Sequence, residues 1–215
     1  MIANEKTMTV RITFLRPMKR RTKQDGWSLL ELSFSVLIIG VISAIAIPQF
    51  LMYRSDAKTF GDSRDLTDLI LLAKMRAAAN FTQARLYADT SAKAFHVEIW
   101  NKTGATWQVD GGVNPLATGN TFSFGSLTSP PTGTQSSIGL APACQALAGG
   151  TGTISNTSCI VFNSRGIPVD STGAPTANDA LYVTDGNTVY AMTVSATGLL
   201  QLWSSSSNAA SWRKR

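Results

Sequence analysis

The sequence predicts an α+β fold: a long N-terminal hydrophobic helix, then a second short helix packed on an antiparallel β-sheet domain. Three observations carry this. Leu32 to Ile47 is a run of 16 uncharged, mostly apolar residues. Leu66, Leu69, Ile70, Ala73 and Ala77 then recur at three- and four-residue spacing, the mark of one apolar helix face. The remainder is rich in Gly, Ser and Thr, with short β-branched and aromatic segments divided by turn residues.

The 215 residues suffice for one core-forming domain with an appendage. The net charge of +6 is unevenly placed. Residues 1–26 carry seven basic and two acidic side chains, whereas the rest is nearly balanced, and Arg213, Lys214 and Arg215 close the chain. A basic isoelectric point therefore says little about nucleic acid.

The apolar run, widened by Trp27–Leu30 and Phe50–Met52, reaches the ~20 residues of a membrane helix. Lys19, Arg20, Arg21 and Lys23 precede it, so that end stays cytoplasmic and the body is exported. Glu31 interrupts the apolar pattern one helical turn after Trp27. A carboxylate at mid-membrane costs about 2.5–3.5 kcal/mol, so it calls for a partner. Pro48 removes an N–H and should kink the helix. Gly40 lowers helix propensity between them.

The run Gly26-Trp27-Ser28-Leu29-Leu30-Glu31-Leu32 resembles the prepilin peptidase site of type IV pilins and type II secretion pseudopilins. The resemblance implies cleavage after Gly26 and N-methylation of Trp27. Glu31, Gly40 and Pro48 then fall at mature positions five, fourteen and twenty-two, as in pilins. Trp27 departs from the usual Phe. The implied partners are other pilins or pseudopilins, the prepilin peptidase and an inner-membrane assembly platform. The implied location is the inner membrane, single-pass with the body in the periplasm, and then a filament. Met18 offers an alternative start, which would leave a short basic leader, Met18–Gly26. Two other readings compete. One is a secretory signal peptide cut after Ala44-Ile45-Ala46, which would release a soluble β protein. The other is an uncleaved signal anchor.

The expected organisation is a leader over 1–26, a membrane and filament helix over 27–58, a periplasmic domain over 59–203 and a flexible basic tail over 204–215. Gly61 is read as a break, with a second helix starting near Asp62 or Ser63. Strands are expected over Phe81–Tyr87, Ala94–Trp100 and Ala105–Val109, with a turn at Asn101–Gly104. Residues 110–158 read as long loops with one or two short strands, such as Thr121–Ser126. Cys159–Phe162, Ala180–Thr184, Thr188–Val194 and Leu199–Trp203 follow as strands, with Asp185-Gly186 as a hairpin turn. Cys144 and Cys159 fit one disulfide in an oxidising compartment. Helix Asp62–Asn80 and the run Ile160-Val-Phe-Asn-Ser-Arg-Gly166 before a terminal hairpin resemble the H-type pseudopilins and FimT-like minor pilins. That likeness implies a two-sheet β domain.

Enzymatic chemistry finds little support. His96 is the only histidine and reads as a structural residue on a strand. No His/Cys/Asp cluster has metal spacing, and no cofactor is expected. Asp89, Asp110, Asp170, Asp179 and Asp185 are read as turn residues. Some FimT-like minor pilins bind DNA through arginines after a glycine in the last strand region. The matching run here, Gly198-Leu-Leu-Gln201, has none. Trp212, Arg213, Lys214 and Arg215 are the remaining candidate DNA contacts: three cations for phosphate and a ring to stack on bases.

Overall fold

The computed structural model describes residues 28–150, 152–177 and 179–215. The leader, Met18, and the cut site Gly26–Trp27 lie outside these residues. The elements are α1 (Leu29–Ala79), β1 (Ala84–Asp89), β2 (Ala94–Asn101), β3 (Thr106–Pro115), β4 (Thr121–Phe122), β5 (Thr157–Phe162), β6 (Pro168–Val169), β7 (Asp179–Thr184), β8 (Thr188–Val194), β9 (Leu200–Ser206) and β10 (Ala209–Lys214). The fold class is the α+β class expected. The chain divides into two compact units, Met1–Ile45 and Ala46–Arg215.

One expectation about the helices is corrected. There is no break at Gly61 and, among the described residues, no second helix: α1 is a single helix of 51 residues that runs through Pro48 and Gly61. Gly61 is exposed and a Cβ there would meet nothing. A glycine in a helix costs only about 1 kcal/mol, and the packing of the following turns outweighs that.

In the second unit, α1 buries Thr59, Asp62, Ser63, Leu66, Ile70, Ala73 and Ala77. The three- and four-residue steps place them on one face. Leu66 and Ile70 are fully buried and contribute about 1.5–3 kcal/mol each. Ala73 and Ala77, also fully buried, are small enough for the helix to lie close against strands.

Two antiparallel five-stranded sheets complete this unit, ordered β3-β2-β1-β5-β6 and β10-β9-β8-β7-β4. Leu86, Phe95, Val97, Ile160 and Phe162 from the first join Leu181, Val183, Met192 and Val194 from the second in one core with the helix. β7 is buried at every position. Its other face, with Tyr182, packs under Leu127, Phe124 and Ile138. The loop-rich stretch thus covers the outer face of the second sheet. Ala141 N–H donates to Ala180 O of β7 at 2.7 Å, and Cys159 N–H of β5 donates to Pro142 O at 2.8 Å. This segment therefore bridges the two sheets.

Some boundaries differ from expectation. The first strand starts at Ala84, not Phe81, because the helix closes in a Schellman turn. Thr82 N–H donates to Ala77 O and Phe81 N–H to Ala78 O, with Phe81 at φ 50°. A non-glycine residue in that conformation costs about 1–2 kcal/mol. β3 runs on to Pro115 through a bulge near Gly111, which has φ 93°. The largest correction is at the C-terminus. Residues 204–215 are not a flexible tail: β9 extends to Ser206 and β10 pairs with it. Ser204, Ser205 and Ser207 are buried, and Ser205 Oγ donates to Ala209 O at 2.8 Å. A serine run reads as a spacer, yet here its hydroxyls are satisfied within the sheet.

Candidate functional site on the N-terminal helix

The apolar half of α1 is hydrophobic around its whole circumference. Leu37, Ile38 and Ile39 are consecutive and all more than half exposed, as are most large apolar residues from Leu29 to Tyr53. A helix of a soluble domain shows a stripe, whereas one that is apolar all round belongs in a membrane or inside an assembly. α1 is long and apolar enough to cross a membrane.

Glu31 lies in the first turn of the helix and is exposed. Its carboxylate makes no hydrogen bond or ion pair among the described residues. Ser33 Oγ donates to Leu30 O and Ser35 Oγ to Glu31 O, both at 2.8 Å. These serines satisfy themselves on the backbone, and Glu31 is the one charged residue between Leu29 and Tyr53. A Cβ at Gly40 would meet nothing within 4 Å, so that face is open to close approach. Pro48 is carried inside the helix.

Past the apolar run, polar contacts tie the helix to the β unit. Tyr190 Oη donates to Asp56 Oδ1 at 3.0 Å, and Ser55 Oγ to Asp185 Oδ2 at 2.7 Å. Asp62 Oδ2 accepts from Ala117 N–H at 2.8 Å and Asn120 Nδ2 at 2.6 Å. Burial, reinforced by the Asp56 charge, pushes the Tyr190 hydroxyl up to about 12. Burial also works against ionisation of Asp185, but hydrogen bonds led by Thr188 N–H hold its carboxyl below the ordinary value.

Cys144 and Cys159 form a disulfide, with Cα atoms 4.9 Å apart. It fastens the covering loop to β5. His96 serves packing: Nε2 lies 3.2 Å from Glu98 Oε1, and the ring stacks on Tyr87 at 4.8 Å. Among the described residues no three His, Cys, Asp or Glu side chains are placed to hold a metal ion.

Some of the acidic and basic residues stand where the sequence put them and others do not. Asp89, Asp170 and Asp185 are turn residues, each accepting from nearby backbone N–H groups. Asp110 instead lies in β3, 2.7 Å from Arg76. Asp179 opens β7, buried, and its burial with the nearby Asp170 charge pushes its carboxyl up to about 6. Trp212 is not free to stack on bases: Nε1 donates to Ser129 O at 2.8 Å, and its ring lies 6.0 Å from that of Tyr182. Arg215 Nε donates to Ser204 Oγ at 2.8 Å. Arg213 and Lys214 are exposed on β10, an edge strand.

One buried polar centre has no counterpart in the sequence reading. Arg85 is 2% exposed, with Nε 2.5 Å from Glu98 Oε2, Nη1 2.6 Å from Gln145 O and the guanidinium 4.0 Å over the Trp107 ring. Burial opposes ionisation of Glu98, but the His96 hydrogen bond and the Arg85 charge hold it below the usual carboxylate range. Strand alternation puts Ala84, Leu86 and Ala88 on the core face and Arg85 on the opposite one, and the partner of Arg85 depends on the cross-strand register Arg85–Glu98.

No protein-family model matches the chain, and no curated sequence does. Among solved structures it is similar to two structures of the minor pseudopilin EpsH from the type II secretion system of Vibrio cholerae. The first is 12% identical, covers 67% of this chain and 95% of the other, and has a TM-score of 0.43. The second is 11% identical, covers 68% and 93%, and has a TM-score of 0.40.

Proposed function

We propose that the chain is a minor pilin or pseudopilin, a non-enzymatic structural subunit of a type IV pilus or type II secretion filament. The observation that carries this reading is the exposed apolar half of α1 with the lone carboxylate of Glu31 in its first turn. Such a surface is stable only in lipid or among copies of similar helices.

In this reading the prepilin peptidase cuts after Gly26 and leaves an N-methylated amine at Trp27. The basic leader holds the N-terminus on the cytoplasmic side while the β unit reaches the periplasm. The amine of one subunit then neutralises Glu31 of its neighbour inside the apolar filament. A buried pair of this kind adds little net stability, but losing one member is costly, so it fixes register. The open face at Gly40 admits neighbouring helices, and the assembly platform supplies the machinery.

Binding of DNA is the weaker reading. The indole of Trp212 is already engaged, and the three exposed cations Arg213, Lys214 and Arg215 would give only weak, salt-sensitive attraction.

The test is Glu31→Leu in the full chain. It should leave membrane insertion intact and abolish incorporation into filaments. Normal incorporation would overturn the assembly mechanism. Mass spectrometry of the mature N-terminus checks the processing separately: methyl-Trp27 is expected, and a chain starting at Ile47 would refute it.

A further inference from the structure

Where α1 ends, the surface carries a feature that neither packing nor the N-terminal helix explains. Phe81 holds the left-handed position of the Schellman turn, at φ 50°, where glycine is favoured. The residue is 76% exposed. The fold gains little burial from that side chain and bears the strain of the backbone that presents it. A bulky residue with positive φ and an exposed side chain points to function. Lys102 holds it in place, donating from Nζ to Phe81 O at 2.6 Å.

Beside it stands Trp100, half-buried and braced by Trp107, whose ring lies 5.2 Å away edge-on. Thr82, Trp100 and Lys102 line both of two recesses. One, of 380 Å³, is lined by Phe81, Gln83 and Asn163 among others, and the second, of 250 Å³, by Asn101 and Gln108. Neither recess contains a carboxylate, and the one charge, Lys102, is tied to a carbonyl.

The amides have spare capacity. Asn163 Oδ1 accepts from the N–H groups of Arg165 and Ile167, and Asn101 Oδ1 from those of Thr103 and Gly104. Their Nδ2 groups, and both ends of the Gln83 and Gln108 amides, have no hydrogen-bond partner among the described residues. An uncharged lining of aromatic faces and amides, each amide both donor and acceptor, is complementary to a ligand with C–H faces and many hydroxyls.

We propose that this face binds a neutral oligosaccharide, with one sugar ring in each recess and Trp100 lining both. The C–H faces rest on Phe81 and Trp100, and the hydroxyls pair with Gln83, Asn163, Asn101 and Gln108. A polyanion is disfavoured, since phosphate groups need several free cations. Cleavage is not part of the proposal, because glycoside hydrolysis needs a pair of carboxylates and the recesses hold none.

The test uses the full chain in a zwitterionic detergent that contains no sugar. It is titrated with cellotetraose, maltotetraose and tetra-N-acetylchitotetraose, followed by tryptophan fluorescence and saturation-transfer NMR. At least one should bind saturably with a dissociation constant of about 1 mM or tighter. Phe81→Gly is the decisive variant, because glycine suits φ 50°. It should raise the melting temperature by about 2–4 °C yet weaken binding about tenfold. No saturable binding of any tetrasaccharide below about 10 mM would overturn the proposal, as would unchanged binding by Phe81→Gly. If no sugar binds and the folded variant fails to enter filaments, the face contacts protein and the proposal is wrong.

Discussion

The two halves of α1 both carry large apolar side chains and bury them differently. From Leu29 to Tyr53 the large apolar side chains are exposed, whereas from Thr59 to Ala77 the inward residues are covered by strands. The apolar half has no polar face, while the other alternates Leu66, Ile70 and Ala73 with Arg64, Asp65 and Asp68. The contrast teaches that hydrophobicity alone does not make a core. The first half is written for a partner outside the chain, and the second for a partner within it.

Matched substitutions test that contrast, and the largest effect is expected from a buried charge. Ala73 has no exposed surface, so Ala73→Asp should remove more than about 4 kcal/mol from the β unit. Ala44→Asp should leave the melting of that unit unchanged and instead hinder membrane insertion by about 2.5–3.5 kcal/mol. Thermal melts and membrane fractionation of both variants check this. Equal destabilisation would erase the distinction between the halves.

A smaller effect concerns the carboxylates. Asp179 in the β unit has its carboxyl raised from 3.8 to about 6. Between those values the folded chain keeps a proton that the unfolded chain has lost, so stability falls as pH rises through about 4 to 6. At pH 7 the penalty is up to about 3 kcal/mol. Asp179→Asn should therefore stabilise the β unit at pH 7 and change little below pH 4. Denaturant midpoints at the two pH values measure it, and a variant that gains most in acid would contradict the assignment.

The smallest effect comes from glycine. Gly61 and Gly40 both have open space around a Cβ. Gly61→Ala should stabilise the β unit by about 0.5–1 kcal/mol. Gly40→Ala should not move its denaturation midpoint at all.

What the sequence conveyed depended on whether a signal was local. The apolar run, the Leu66–Ala77 face, the Asn101–Gly104 turn and the Asp185-Gly186 hairpin were all readable, because each is decided within a few residues. The Arg85–Glu98 pair was not, since residues 13 apart meet only once the register of β1 and β2 is set. The cover over β7 was hidden for a similar reason. Its residues look like loop because they make few bonds to one another, and their partners lie on distant strands. The serine-rich end misled most directly, since a composition typical of linkers forms the seam between β9 and β10. At Gly61 local propensity pointed to a break, and tertiary packing prevailed. Glu31, Gly40 and Pro48 are singled out by spacing and their role in assembly is the proposal above, while the Phe81–Trp100 face comes into view only with the helix end and two strands together.

The disulfide has one more consequence. The two cysteines are bonded to each other, and the chain has no other thiol. A thiol-reactive tag will therefore add to a molecule twice or not at all. If the β unit crosses from a reducing to an oxidising compartment, that count records the crossing for each copy. Gel mobility after alkylation would then sort a population into molecules still awaiting export and molecules already delivered, with no reporter fused to the protein.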